Sequence, residues 1–331
     1  VAAGTYVENI NFRGRNIKVV GADRETTIIT PAISNTPIIT FENDEGITSE
    51  SLLSDFTFTG GDDYTFEIVY GPRPTIKNCI ITNNTNYYLE GTVRIDGAAP
   101  IFYNTLFYNN GNVLDFGPNS SAENYNTQLN NCTFVNNYGL GISDNQSNPI
   151  IISNSIINDH EDSTIIGNYD IFYSNVEGYN DGSGNIDVDP MFADTANGDF
   201  NLLADSRCID AGHPDSTDAD GTRADMGAYY YDQAGQPTRV TDLISTPTAS
   251  SIDLTWSLNS AASAYNIYRS TDAATDFYSA PPLATSSSNA YSDLTADANN
   301  TYYYRIGAVD SDGDEGLLAF KEHGRIGPDS T

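Results

Sequence analysis

Cationic side chains are scarce in this chain. Lys and Arg number 14 against 45 Asp and Glu in 331 residues, a net charge of −31. That balance argues against nucleic acid and anionic membrane as broad-contact partners. It suits a salty or calcium-containing exterior, where cations screen self-repulsion, so the expected location is extracellular or at the cell surface. Cysteine occurs three times, and no CxxC or Cys/His spacing of a zinc site is present. Tryptophan occurs once and histidine three times. No run of about 18 apolar residues exists, so no helical membrane insertion is expected. No stretch sustains a helical period either, which leaves an all-β chain.

What is there is a repeat. TIKNCIITNN (75–84), IFYNTLFYNN (101–110), QLNNCTFVNN (128–137) and IISNSIIND (151–159) share one phrase, anchored on Asn78, Asn104, Asn131 and Asn154. The intervals of 26, 27 and 23 residues match one turn of a β-solenoid. Two residues before the Asn stand Ile76, Phe102, Leu129 and Ile152. One after it stand the small Cys79, Thr105, Cys132 and Ser155, and three after it Ile81, Phe107, Phe134 and Ile157. A strand alternates faces with period two, so an inward set at −2, +1 and +3 requires a corner at the Asn. Asn tolerates the left-handed backbone such a corner needs, and stacked amides can bond along the column. LSDFTFTGG (53–61) is a fifth copy with Asp55 in the corner; YSNVEG (173–178) is a sixth of ambiguous register.

Cys79 and Cys132 share a column two coils apart, roughly 9–10 Å at about 4.8 Å per coil. That is too far for a disulfide. Both read as small core residues, and Cys208 is left unpaired. Val1 begins abruptly in what reads as a first coil, which implies residues upstream. Five Asn-x-Ser/Thr sequons, at Asn83, Asn119, Asn131, Asn145 and Asn299, are expected by chance in so Asn-rich a chain.

The repeat resembles the right-handed parallel β-helix of the pectate-lyase-like superfamily. Residues 187–232 resemble the closing segment of many secreted bacterial β-helix proteins: DPMF, GDFNL, IDAG, then DADGTRADMGAY. That resemblance implies a cap on the carboxy-terminal end of the solenoid. QAGQPT (233–238) reads as a linker. From 239 to 331 the pattern resembles a fibronectin type III domain, with strands in SIDLTW, AYNIYRS and TYYYRIGAVD; Trp256 and Tyr302 fall at that family's core Trp and tyrosine corner. The expected architecture is a right-handed parallel β-helix over 1–232 followed by a fibronectin type III β-sandwich.

Lyases on such solenoids need a calcium-binding carboxylate cluster and a basic residue on one outer face. Lys77 and Arg94 are the candidate bases, with Arg73 nearby, and Asp96 is the candidate cation ligand; Glu67, Glu90 and Asp115 add carboxylates. No lyase motif surrounds them, and ordinary salt bridging explains them equally. Hydrolases on this fold use clustered Asp, but Asp62–Asp63 has no His-containing partner motif, and His160, His213 and His323 lack partners in sequence. Asp215, Asp218, Asp220 and Asp225 are candidate calcium ligands, since alternate carboxylates can converge on one ion; pairing with Arg223 is the competing account. Asp310, Asp312 and Asp314 begin like a calcium loop, but Glu315 stands where Gly is needed. Outward tyrosines, among them Tyr87, Tyr88, Tyr103, Tyr108 and Tyr229 to Tyr231, can stack on sugar rings. The expected function is a non-catalytic extracellular module for surface attachment, glycan binding or self-assembly into a filament. The alternative is a polysaccharide lyase or related enzyme acting on acidic glycans.

Overall fold

The computed structural model describes residues 1–42, 47–84, 92–117, 125–139, 148–158 and 168–326. Glu90, Tyr87, Tyr88, Asn119, Asn145 and His160 lie outside them. The chain divides into two compact units, Val1–Asp218 with Arg223–Tyr231, and Ala219–Thr222 with Asp232–Thr331.

The first unit is a parallel β-solenoid. Its described strands form three sheets, of eight, seven and five strands, each joined coil to coil. The four anchoring Asn residues have φ of 46° to 50°, and Asp55 has 65°. Each ends a strand of the seven-stranded sheet and turns the chain into the eight-stranded one. The ambiguous sixth copy resolves the same way: Tyr173 holds the corner at φ 50°. Corner side chains bond along the column, Asn78 Nδ2 to Asp55 Oδ1 at 3.2 Å and Asn104 Nδ2 to Asn78 Oδ1 at 3.2 Å. Asn131 breaks the series and donates to the Asp225 carbonyl at 3.0 Å.

The inward sets are as the alternation requires. Ile76, Phe102, Leu129 and Ile152 are fully buried, as are Cys79, Thr105, Cys132 and Ser155. Each large apolar side chain buried this way is worth about 1.5–3 kcal/mol. Phe107 stacks on Phe134, ring centroids 4.7 Å apart. All three cysteines are free and buried, and burial pushes each thiol pKa up to about 12.

A second Asn column stands at the next corner, and the sequence analysis did not isolate it. The doubled Asn that ends each phrase performs two tasks. Asn83, Asn109 and Asn136 take the left-handed backbone, with φ of 53° to 54°. Asn84, Asn110 and Asn137 turn inward and are buried. Asn84 Nδ2 donates to Asn110 Oδ1, and Asn110 Nδ2 to Asn137 Oδ1, both at 3.0 Å. Each amide also donates to the carbonyl of a neighbouring coil.

The closing segment meets the last strand of the solenoid, where Val188 N donates to Asn175 Oδ1 at 3.0 Å, and its residues 187–218 and 223–231 also run along the outer face of the eight-stranded sheet. Ile80, Leu106 and Val135 on that face are buried in one cluster with Phe200 and Ala228. Ala228 N donates to Thr133 Oγ1 at 2.9 Å, and Gly227 N to the Asn154 carbonyl at 2.7 Å. The segment reaches back to an early coil, where Arg24 lies 3.8 Å over the Tyr229 ring and Tyr229 Oη donates to Glu25 at 3.0 Å. The reason is in the repeat. Ile80, Leu106 and Ile156 occupy the +2 position, so this sheet is apolar on both faces and needs a cover. Gly227, at φ 107°, lets the segment approach; a Cβ there would lie 2.9 Å from Ile156 Cδ1 and from Thr133 Oγ1.

The second unit holds a three-stranded and a four-stranded antiparallel sheet around a core that includes Trp256, Tyr265, Ile267 and Tyr304. Its strands Ile252–Thr255, Ala264–Ser270 and Tyr302–Val309 lie within the segments expected. Trp256 meets Tyr265 edge-on at 5.2 Å, and Tyr302 Oη donates to Asp297 Oδ2 at 3.0 Å.

Candidate functional site

Three outer faces of the solenoid are available for function, and the sequence candidates scatter over them. Lys77 ends the strand Thr75–Lys77 of the seven-stranded sheet and is exposed, beside Tyr103 in register. Arg94 lies in Val93–Asp96 of the five-stranded sheet. The two candidate bases therefore stand on different sheets.

Arg94 is the centre of a charged row. It pairs in register with Glu67 on one side and Asp115 on the other. All three are half-buried. The Tyr64 ring lies 5.5 Å from the guanidinium, and Tyr64 Oη donates to Asp115 Oδ2 at 3.2 Å. Burial works against the Arg94 charge, but Tyr64, Glu67 and Asp96 outweigh it and hold the pKa above its ordinary value. A base needs the opposite shift. Burial, partly offset by Arg94, raises the pKa of Glu67. Tyr70, at the end of Phe66–Val69 on this sheet, is 65% exposed.

Asp96 corrects the expectation of an outward cation ligand. Strand parity does place it on the outer face, but it is 6% exposed, with Oδ2 3.8 Å from Arg94 Nη2. It packs over the backbone of Gly117, where a Cβ would overlap its carboxyl. A second-row carboxylate folded under the sheet edge is poorly placed to reach an ion from solvent.

Three of the four candidate Asp residues, Asp218, Asp220 and Asp225, accept hydrogen bonds from backbone N–H groups. Asp225 is 1% exposed. Its Oδ1 accepts from Asp210 N at 2.7 Å and its Oδ2 from Tyr231 N at 2.6 Å. Burial, with Asp218 and Asp210 nearby, outweighs those amides and raises its pKa to about 8. Asp218 Oδ2 accepts from Asp225 N at 2.7 Å. Asp220, in the second unit, accepts from Thr222 N and Gln233 N. Asp215 is exposed, 4.0 Å from His213. Arg223 donates to the Gly212 carbonyl at 2.6 Å and to that of Ala211. The IDAG step and the DMG step are tied by Gly212 N to the Ala224 carbonyl and Met226 N to the Cys208 carbonyl. These contacts make a clasp that accounts for Asp218, Asp225 and Arg223 without an ion. Among the described residues, no group of three His, Cys, Asp or Glu side chains is disposed to hold a metal.

The remaining candidates are structural in the same sense. Asp62 accepts from Asn35 N at 2.9 Å, His213 Nδ1 accepts from Asp215 N at 3.1 Å, and Asp310 accepts from the backbone of Asp312 and Asp314. The residues that sequence reasoning missed are Tyr64 and Tyr70. The signal for Tyr64 was its place just before the strand that carries Glu67.

No curated protein matches the chain. A solved Fn3-like protein from Clostridium thermocellum is 26% identical over 29% of this chain and 95% of its own, with a TM-score of 0.24. The 6th fibronectin type III domain of human fibronectin type III domain containing protein 3 is 16% identical over 29% of this chain and 92% of its own, again with a TM-score of 0.24. The family model described as the right handed beta helix region matches residues 8–180. That span is more than half of the chain and carries the stacked sheets, the Asn corners and the Arg94 row, so the chain belongs to the right-handed β-helix family.

Proposed function

We infer that this protein is a non-catalytic extracellular module that holds a glycan on the outer face of its five-stranded sheet. The observation that carries the reading is the row Glu67–Arg94–Asp115. A fixed cation between two acceptors offers the mixture of donors and acceptors that sugar hydroxyls require, and the exposed Tyr70 ring supplies a stacking surface at the sheet edge. The eight-stranded sheet is unsuited to the task because residues 187–231 cover it. The preference for binding over turnover draws on Arg94, whose neighbours Tyr64, Glu67 and Asp96 favour its protonated form and so make it a poor base. In this reading the second unit is a fibronectin type III-like spacer, supported by buried Trp256 and by Tyr302 bonded to Asp297.

A second reading, a polysaccharide lyase or related carbohydrate-active enzyme, draws on the raised pKa of Glu67, which suits a general acid. One experiment separates them. The full chain is titrated calorimetrically with a panel of oligosaccharides, and each mixture is then followed for the ultraviolet absorbance of unsaturated products and for reducing ends. The module reading expects saturable heat with at least one glycan, lost in Arg94→Ala, and no new product. Product formation abolished by Glu67→Gln would establish the enzyme instead, and no binding to any glycan would sink both.

A further inference from the structure

Most of the 14 cations of this chain are occupied. Arg24 and Arg73 lie over tyrosine rings, Arg94 and Arg269 face carboxylates, and most of the rest donate to carbonyls. Among the described residues, four cationic side chains engage no hydrogen bond, ion pair or ring: Arg13, Arg15, Lys18 and Lys77. All four are exposed. They are also neighbours in the fold. Arg13 and Arg15 flank Gly14 in a tight turn with φ of 51° and 67° at Arg13 and Gly14, closed by Arg15 N on the Phe12 carbonyl. The turn feeds directly into Lys18–Val20, the strand that begins the seven-stranded sheet. Lys18 is in register with Leu52 and, through it, with Thr75; Lys77 lies two residues beyond Thr75 and so on the same face. The two lysines are two strands apart and two residues offset, about 12 Å between Cα atoms. Tyr103, 38% exposed, stands next to Lys77. Along the outward positions of the described strands of this sheet, the one carboxylate is Asp170, four strands from Lys77.

In a chain of net charge −31, four cations left unpaired where 45 acids face 14 bases form a surface prepared for an anion from outside. We propose that Arg13, Arg15, Lys18 and Lys77 form an anchoring surface for a linear polyanionic glycan, one bearing carboxylate or sulfate groups. The shape of the partner follows from screening. At physiological salt the Debye length is about 8 Å, so a narrow chain lying on the patch is screened from acids farther off, while Asp55, beside Lys77, and Glu42, bonded to Asn11, border it. A second copy of this protein would instead bring its own −31 to the contact. A single-stranded nucleic acid would need successive stacking rings, and the outward strand positions beside Lys77 supply Tyr103. Lys18 and Lys77 lie on a different sheet from the Glu67–Arg94–Asp115 row, and the Arg13–Arg15 turn follows the edge strand Ile10–Asn11 of the row's own sheet, three strands from Arg94.

The test uses the full chain in affinity electrophoresis through gels holding a polyuronate, a sulfated glycan, a neutral glycan or a single-stranded oligonucleotide, each at rising salt. Retardation by the polyuronate or the sulfated glycan is expected, the two arms telling which anion is preferred, with loss as salt rises. The quadruple variant Arg13→Ala, Arg15→Ala, Lys18→Ala, Lys77→Ala should weaken it on the order of tenfold to a hundredfold, since four exposed pairs are removed. All four positions are exposed and unpaired, and unaltered thermal unfolding of the variant confirms the fold. Failure of both anionic glycans to retard the chain would overturn the proposal. So would equal retardation by the neutral glycan, tighter binding of the oligonucleotide, or full retention in the quadruple variant.

Discussion

Replacing Asn110 by Ala removes four hydrogen bonds from the interior of the solenoid. Its Oδ1 accepts from Asn84 N at 3.2 Å and Asn84 Nδ2 at 3.0 Å; its Nδ2 donates to the Ile81 carbonyl at 2.8 Å and Asn137 Oδ1 at 3.0 Å. Asn110 and Asn84 are 6% and 1% exposed, so water cannot replace what is lost. The backbone N–H and one amide hydrogen of Asn84 are stranded. Each orphaned buried group costs about 1–3 kcal/mol, and the pair should cost about 2–6 kcal/mol. That is a large part of the roughly 5–15 kcal/mol that holds a domain together. The adjacent Asn109 is the control. It is exposed with φ 54°, so Asn109→Ala forfeits its tolerance of the left-handed backbone, about 1–2 kcal/mol, and a bond from Asn136 Nδ2 that water can replace. Urea unfolding followed by circular dichroism measures both. Because coils stack on neighbours, a central defect is felt by the whole solenoid. If Asn109→Ala proves as costly as Asn110→Ala, the buried amide ladder is not what stabilises this corner.

Four further outcomes follow from the same contacts. Gly227→Ala should loosen the covering segment by about 2–5 kcal/mol, from backbone strain and the clash with Ile156 and Thr133; limited proteolysis should then nick residues 187–231 while the sheets persist. The pKa of Asp225 is raised from the ordinary carboxylate range to about 8, so the folded clasp holds a proton that the unfolded chain has lost. Clasp stability is thus full below about pH 4 and falls as pH rises toward 8, which faster hydrogen exchange of the Tyr231 amide at pH 9 than at pH 5 would register, after correction for intrinsic rates. Burial of Asp293 is outweighed by bonds from Thr295, Tyr304 and Arg269, which lower its pKa. Its contribution is present at neutral pH and lost as acid carries pH through that lowered value; Arg269→Ala, which breaks a 2.7 Å pair with a fully buried carboxylate, should cost the second unit about 3–5 kcal/mol. Finally, all three thiols should resist a thiol reagent in the native protein and react once urea unfolds it.

The solenoid was legible because the repeat aligns residues whose burial must agree. Inward positions at −2, +1 and +3 and the left-handed Asn corner follow from strand parity alone. The second Asn column was visible in the doubled Asn of TNN, YNN and VNN, but a repeat aligned on one corner gives no reason to look for another. The path of residues 187–231 was not legible from their own motif, since an Asp- and Gly-rich clasp looks like a cation loop until its backbone donors are placed. The signal lay elsewhere, in apolar Ile80, Leu106 and Ile156 at positions that should face water. Asp96 shows the limit of parity: alternation gives the face of a sheet, and a neighbouring Gly117 decides whether that face is open. The row at Arg94 needed the pairing register, because Glu67 and Asp115 meet it only when the coils are stacked.

A structure of the full chain with an oligosaccharide bound tests the central claim most directly. The account predicts an intact sugar chain on the five-stranded sheet, with hydroxyls on Arg94 and on Glu67 or Asp115. A ligand seated on the covering segment, or found cleaved beside Glu67, would contradict it.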